Sequence, residues 1–105
     1  MKLQQNKNEL TGLKEDISLR IHKKSGLIEP YSQDKLKQGV VHACMAVMTP
    51  IGAAERFGQE VEKKIARSVK RHSVMTSRDL KRLTKNFLSS YHPDAAEVYA
   101  IEEEF

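Results

Sequence analysis

Apolar and polar residues alternate where the folded part of the chain is predicted to begin. Ile17, Leu19 and Ile21 alternate with polar residues, and a period of two predicts a strand with one buried face. Gly26 follows at a predicted tight turn, because glycine adopts positive φ at no steric cost. Residues 27–31 then return as a second short strand, and their proline limits that strand to the edge of a sheet.

Apolar residues spaced three or four positions apart predict four helices in the rest of the chain. Ser32 is predicted to cap the first helix, because its hydroxyl oxygen can accept a hydrogen bond from a free backbone N–H. Thr49 and Pro50 are predicted to cap and open the second helix, Ser77 to cap the third, and Pro93 to open the fourth. In chain order, the predicted buried stripes are Leu36, Val40, Val41, Cys44, Val47 and Met48; Phe57, Val61, Ile65 and Val69; Leu80, Leu83, Phe87 and Leu88; and Val98, Ile101 and Phe105.

The predicted fold class is mainly α (α+β): a four-helix bundle capped by an N-terminal β-hairpin or a small three-stranded sheet. The choice between these two sheets stays open because residues 72–75 interrupt the helical spacing and can add a short strand. A length of 105 residues fits a single domain. Residues 1–16 are polar and lack a period, so they are predicted to form a flexible arm, and residues 17–105 are predicted to form the domain.

Charge is unevenly distributed along the chain. The chain carries 18 Lys and Arg against 14 Asp and Glu, a net charge of +4, which mildly favours acidic or phosphate-bearing partners. The last fourteen residues contain no Lys or Arg, whereas a basic segment precedes them. Its nine basic residues are Lys63, Lys64, Arg67, Lys70, Arg71, Arg78, Lys81, Arg82 and Lys85. This segment is either a set of solvated helix faces or a surface for an anionic partner.

The side chains that commonly carry chemistry favour a role without catalysis. Cys44 is the single cysteine and lies on the first apolar stripe, so it is predicted to be a core thiol. The four histidines lack i, i+4 spacing, and no metal site is predicted. No Walker loop, nucleophile elbow or pair of catalytic carboxylates occurs, so we expect no enzyme activity. Without an apolar signal peptide or a long uncharged run, we expect a soluble, cytoplasmic protein that does not enter the membrane.

The most informative stretch is residues 21–36, which read IHKKSGLIEPYSQDKL. A strand leads to a turn with Lys23 and Lys24, and the return strand carries Glu29 toward a helix N-terminus that bears Lys35. Helix N-termini attract anions because their first N–H groups lack intrahelical partners and the helix dipole is positive there. Together with the start of the third helix, this stretch predicts a pocket for a chain of phosphates.

This order of residues resembles the ATP-cone family, the regulatory domain of ribonucleotide reductase large subunits and of bacterial repressors of reductase genes. The family pattern is a hydrophobic residue, two basic residues, a turn with glycine, an acidic residue, an aromatic or apolar residue and then Asp-Lys-Leu. It matches residues 21–36 without a gap, and it resumes at the Ser-x-Asp-Leu sequence of residues 77–80 and at the Ala-rich helix from Pro93. The resemblance covers residues 17–105. It implies a four-helix bundle under a small sheet, with ATP or dATP bound beneath the sheet.

The resemblance also implies which residues contact the nucleotide. The turn lysines match phosphate contacts, Glu29 and Ser32 match positions at the adenine edge, and the apolar strand residue lies beside the base. Lys35, Ser77 and Lys81 match positions near the ribose and phosphates. The implied nucleotide-binding residues are Ile21, Lys23, Lys24, Glu29, Ser32, Lys35, Leu36, Ser77 and Lys81. Mg²⁺ can accompany the triphosphate, and occupancy is expected to control assembly into a homo-oligomer or the activity of a larger enzyme.

Two other functions remain open at this point. The basic segment 63–85 can instead serve a nucleic-acid-binding helical module, which predicts affinity for DNA or RNA that falls steeply with salt and does not respond to ATP. A purely structural interaction domain is the third interpretation. Reversal of charge at Lys23 and Lys35 would then leave stability and partner binding intact.

Overall fold

The computed structural model describes residues 19–102. The predicted arm over residues 1–16, Ile17 of the predicted strand and Phe105 of the predicted last helix lie outside this range. The elements in chain order are β1 (Arg20–His22), β2 (Ile28–Pro30), α1 (Gln33–Ala46), α2 (Ile51–Val69), β3 (Val74–Thr76), α3 (Ser77–Ser89) and α4 (Pro93–Glu102). The described chain is thus mainly helical with a small three-stranded sheet, and the predicted fold class is confirmed.

The central strand of the sheet is β1, which pairs antiparallel with β2 and parallel with β3. The predicted hairpin closes through hydrogen bonds from the Lys23 N–H to the Leu27 carbonyl and from the Gly26 N–H to the Lys23 carbonyl, both 2.9 Å. Gly26 has a φ of 94°, as predicted for this turn. Pro30 lies in β2 at the edge of the sheet, where its missing N–H removes no ladder bond.

The N-terminus of α1 is capped as predicted. The Ser32 hydroxyl oxygen accepts a hydrogen bond from the Lys35 N–H at 3.1 Å. Leu36, Val40 and Cys44 form the buried stripe of this helix, so the core position predicted for the thiol is confirmed. Burial also raises the pKa of the Cys44 thiol, which disfavours the reactive thiolate.

The C-terminus of α1 departs from the prediction. The helix ends at Ala46, and Met48 adopts a left-handed conformation with a φ of 68°. The Thr49 N–H donates to the Cys44 carbonyl and the Met48 N–H donates to the Met45 carbonyl, both at 3.0 Å, which is the Schellman arrangement. The predicted burial of Met48 is wrong: it is 87% exposed, because the chain reverses direction at this residue.

The start of α2 lies one residue after the predicted start. Pro50 is the residue before the helix and no side chain caps it, so the prediction that Thr49 caps a helix opened by Pro50 is wrong. Thr49 Oγ1 instead lies 3.0 Å from His92 Nε2. Along the helix Gly58 is buried, and a Cβ there would stand 3.1 Å from Val41 Cγ2 and 3.2 Å from the Lys37 carbonyl oxygen. Glycine therefore allows α1 and α2 to approach closely.

The cap of α3 is Thr76 and not Ser77. The Thr76 hydroxyl oxygen accepts a hydrogen bond from the Asp79 N–H at 3.1 Å, and Ser77 is the first helical residue. The two adjacent hydroxyl residues made the sequence ambiguous by one position, and β3 decides between them by ending at Thr76. Buried Thr84 donates its hydroxyl to the Leu80 carbonyl at 2.7 Å, so a polar side chain fits on the apolar face.

The last helix starts at Pro93, as predicted, but buries a different face. Ala95, Ala96 and Tyr99 are buried, whereas Ile101 is 78% exposed, so the prediction that Ile101 points inward is wrong. Alanine carries little apolar surface, so the apolar pattern did not mark it as a core residue. Its small size lets α4 lie close to its neighbours, and Tyr99 then fills the space between them.

The four helices form a ring in which each packs mainly on two others: α1 on α2 and α4, and α3 on α2 and α4. The inner face of the sheet covers one end of this ring through Leu19 and Ile21. The remaining fully buried apolar side chains come from all four helices. They are Leu36, Val40, Ala43, Cys44, Ala54, Val61, Ile65, Val69, Leu80, Leu88, Ala95, Ala96 and Tyr99.

Candidate functional site

The face of the sheet that covers the bundle carries one charged residue in its central row. The register aligns Ile21 of β1 with Glu29 of β2 on one side and with Met75 of β3 on the other. All three are less exposed than their strand neighbours, because alternate side chains of a strand point to opposite faces. Glu29 therefore points toward the bundle at the edge of the sheet.

Two lysines contact this carboxylate, one with each oxygen. Lys23 Nζ lies 3.6 Å from Glu29 Oε2, and Lys35 Nζ lies 3.5 Å from Glu29 Oε1. The exposed fractions of the side chains are 21% for Lys23, 29% for Glu29 and 62% for Lys35. Partial burial of Lys23 and Glu29 strengthens their interaction relative to an ion pair in open solvent. We call these three residues the Glu29 cluster; its formal charge is +1.

Local structure places each member of the Glu29 cluster. Lys23 follows Ile21 by two residues and so continues on the bundle side of β1. Lys35 lies in the first turn of α1, whose orientation is set by the Ser32 cap. Leu36, the next residue, is fully buried and anchors this turn in the core. The carboxylate also offsets the unfavourable position of a lysine at the positive end of a helix dipole.

The start of α3 lies on the other side of β1. Register pairs His22 with Thr76, so Ser77 follows β3 beside the strand end that leads into Lys23. Ser77 and Lys81 are both half-buried and lie one helical turn apart. The structure shows no hydrogen bond or ion pair between these two described residues and the Glu29 cluster.

The predicted site residues therefore fall into three groups. Lys23, Glu29 and Lys35 are in contact, and Ser32 joins them through the backbone of Lys35. Ile21, which pairs with Glu29 in the sheet, and Leu36, which follows Lys35, are both buried in the core. Ser77 and Lys81 lie on the β3 side, and Lys24 lies exposed at the hairpin tip.

The two helix N-termini lie near opposite ends of β1. The start of α1 lies near the beginning of β1, where the Tyr31 N–H donates to the Leu19 carbonyl at 2.9 Å. The start of α3 lies near the end of β1, beside His22. A ligand that reached both helices would therefore run along β1, past the Glu29 cluster.

The role of Tyr31, which lies between β2 and α1, was not predicted from the sequence. Its hydroxyl donates to Glu62 Oε2 at 3.1 Å, and burial, followed by the negative charge of Glu62, raises the pKa of Tyr31 well above its ordinary value. This contact ties the junction beside the Glu29 cluster to the middle of α2. An aromatic residue directly before the Ser32 cap was the available signal.

A second cluster that the sequence did not predict lies at the opposite part of the bundle. The ring of Phe57 lies 5.9 Å from that of Tyr91 and 6.0 Å from that of His92, centroid to centroid. Lys64 Nζ lies 5.0 Å from the centre of the Tyr91 ring, a cation–π distance. These residues belong to α2 and to the turn between α3 and α4, and no local pattern predicts their contact.

Several cations of the basic segment are exposed on α2 and α3. Lys63 pairs with Glu60, and Arg82 pairs with Asp79. Four further exposed cations of this segment, all of it within the described residues, form no ion pair: Arg67, Lys70, Arg71 and Arg78. They lie at the end of α2 and the start of α3 and are separate from the Glu29 cluster.

Neither a protein-family model nor a curated protein matches this chain in sequence. Over residues 19–102, no helix combines the length and the apolar character needed to span a membrane. Within the same range, His, Cys, Asp and Glu do not group in threes or more as they would around a metal ion.

Proposed function

We propose that this chain is a regulatory module that binds an adenine nucleotide of the ATP or dATP type on the bundle side of its sheet. The supporting observation is the contact of Lys23 and Lys35 with one carboxylate, Glu29, at the edge of the sheet. A turn lysine and a helix-start lysine supply point charges for phosphate, and Glu29 can accept a hydrogen bond from the exocyclic amine of adenine.

The proposed phosphate path runs along β1 toward the start of α3. Lys23 and Lys35 hold its first part, and Ser77 and Lys81 extend it on the β3 side. Lys24 at the hairpin tip adds long-range attraction for the anion. Mg²⁺ would be bound mainly through phosphate oxygens and water, as is usual for this ion.

The proposed role is regulatory and without catalysis. A nucleotide that bridges the hairpin, α1 and α3 favours the arrangement in which these elements are close, and it shifts the population by its differential affinity for that arrangement. The resemblance of residues 21–36 to the ATP-cone family supports this role, with a homo-oligomer or a larger enzyme as the regulated partner. We place this activity in the cytoplasm, where a free core thiol such as Cys44 stays reduced.

Titration calorimetry with ATP, dATP and GTP tests the proposal. We expect ATP or dATP to bind, and Lys23→Ala and Lys35→Ala each to weaken binding by about tenfold, since an ion pair with phosphate is lost. Lys63→Ala is the matched control, because it also removes a lysine paired with a glutamate but lies on α2. Absence of heat and of thermal stabilisation at millimolar nucleotide would rule out the proposed function.

The four unpaired cations at the end of α2 and the start of α3 support a second candidate function, binding of nucleic acid. Fluorescence anisotropy with labelled single- and double-stranded DNA and RNA distinguishes the two. Nucleic-acid binding predicts an affinity that falls steeply with salt, is weakened by the triple substitution Arg67→Ala, Lys70→Ala and Arg71→Ala, and is unchanged by ATP. The nucleotide-binding proposal predicts instead that the chain binds ATP and that Lys35→Ala weakens this binding.

A further inference from the structure

The carboxylate of Glu29 occupies the position between the two lysines that the proposed function assigns to phosphate. Each of its oxygens faces one ammonium group, at 3.6 Å for Lys23 and at 3.5 Å for Lys35. Part of the positive charge needed for a phosphate is thus already compensated by an anion of the protein itself. A phosphate can gain their full attraction only if the carboxylate leaves them.

We propose that Glu29 is an internal counter-anion, and that a ligand binds by exchanging its phosphate for this carboxylate on Lys23 and Lys35. This inference rests on the proposed nucleotide site and deepens it. Exchange requires that the displaced carboxylate find a new donor, because a half-buried charge without a partner is unfavourable. The exocyclic amine of adenine is such a donor.

This exchange makes the site selective for ligands that carry both chemical groups. A nucleotide with an amino group on the base supplies phosphate to the lysines and an N–H to Glu29. Inorganic tripolyphosphate supplies only the anion and leaves the carboxylate facing it, so like charges repel. Inosine triphosphate places a carbonyl oxygen where adenine has an amine, so an acceptor meets an acceptor.

The geometry of the cluster is suited to such an exchange. Lys35 is largely exposed and its long side chain can swing, whereas Lys23 and Glu29 are more enclosed. The carboxylate lies on a strand whose register with β1 fixes its backbone position. Movement is thus confined to side-chain rotation, and the sheet need not rearrange.

Calorimetric titration of the whole chain with inorganic tripolyphosphate, ATP and inosine triphosphate tests the proposal. We expect Glu29→Gln to bind tripolyphosphate about tenfold or more tightly than the wild-type chain, because the competing charge is gone. The same variant is expected to bind ATP and inosine triphosphate with similar affinity. Glu60→Gln is the matched control, because it removes the negative charge from the ion pair of Glu60 with Lys63 on α2. It is expected to change tripolyphosphate affinity by less than about twofold.

The outcomes separate the inference from the proposed function. If the wild-type chain binds ATP but Glu29→Gln gains no affinity for tripolyphosphate, or Glu60→Gln gains as much, the exchange is overturned and the nucleotide site stands. If neither chain binds any of the three probes, both are overturned. Should Glu29→Gln fold poorly, the carboxyl carbon NMR signal of Glu29 in the wild-type chain decides: it must shift on addition of ATP while that of Glu60 does not. A signal of Glu29 that stays in place under saturating ATP overturns the exchange.

Discussion

The hydroxyl of Tyr31 donates a hydrogen bond to Glu62 Oε2 at 3.1 Å and thereby joins the end of the sheet to the middle of α2. The phenol packs against the apolar side chains of the core. Burial, and after it the negative charge of Glu62, disfavours the phenolate and raises the pKa of Tyr31 above its ordinary value of 10.0. The contact therefore contributes stability that depends on the proton of the hydroxyl.

We predict that Tyr31→Phe lowers the free energy of unfolding by about 1–2 kcal/mol at neutral pH, because Glu62 loses a hydrogen-bond donor. The pKa of Tyr31 is higher in the folded than in the unfolded chain, so its contribution is complete below about pH 10 and declines above it. The decline is about 1.4 kcal/mol per pH unit. Urea unfolding of both proteins between about pH 8 and 11 measures this, and a difference that stays constant across the range would contradict it.

A second prediction concerns the left-handed residue after α1. Met48→Gly is expected to stabilise the protein by about 0.5–1 kcal/mol, because glycine adopts positive φ without the steric penalty of a side chain and Met48 buries little surface. Ala46→Gly, two residues earlier in the helix, is the control and should destabilise by about 1 kcal/mol. Thermal and urea unfolding report both changes. Equal effects of the two substitutions would contradict a left-handed conformation at Met48.

Two glycines of α2 provide a matched pair. At Gly52 the position that a Cβ would take has no packing neighbour within 4 Å, whereas at Gly58 a side chain and a backbone oxygen lie 3.1 and 3.2 Å from it. We expect Gly52→Ala to stabilise by up to about 1 kcal/mol through helix propensity. Gly58→Ala is expected to destabilise by about 1–2 kcal/mol, because the Lys37 carbonyl cannot move away without displacing α1. Stabilisation by both substitutions in urea unfolding would argue against the close approach of α1 and α2.

Two neighbouring hydroxyl residues at the start of α3 allow stability and the proposed binding to be tested separately. Thr76→Ala removes the acceptor for the Asp79 N–H and should lower stability by about 1 kcal/mol. Ser77→Ala leaves this bond in place and should change stability by less than about 0.5 kcal/mol, yet weaken ATP binding if Ser77 lies on the phosphate path. Urea unfolding and calorimetry of the two variants measure the two effects independently. A large loss of stability in Ser77→Ala would indicate that Ser77, and not Thr76, caps the helix.

Local signals in the sequence were sufficient for the hairpin and for the starts of α1 and α4. Gly26 could be placed at the turn because few other residues adopt its positive φ. Ser32 could be placed at the start of α1 because a hydroxyl before an apolar stripe is the usual cap. These features depend on neighbours only a few residues away, so their energetics can be read from the chain directly.

Features that depend on distant contacts were beyond the sequence. The small residues Ala95 and Ala96 form the buried face of α4, whereas the larger Ile101 is exposed. The close approach of α4 to the neighbouring helices, and not the size of each residue, determines which face is buried. The Tyr31–Glu62 bond and the aromatic cluster join segments far apart in the chain. Burial and close approach arise only when all four helices meet.

The candidate site likewise combines features predictable from local sequence with features that depend on distant contacts. The residue pattern was enough to name Lys23, Glu29 and Lys35 as members of one constellation, since a strand, a turn and a helix start bring them near one another along a short stretch. Pairing of β1 with both β2 and β3 decided the rest: Glu29 points toward the bundle between the two lysines, while Ser77 stands on the far side of β1. Strand register sets these directions through backbone hydrogen bonds. The register of β2 with β1 follows from the hairpin turn, whereas the register of β3, which is distant in the chain, is a property of the folded sheet that no local pattern encodes.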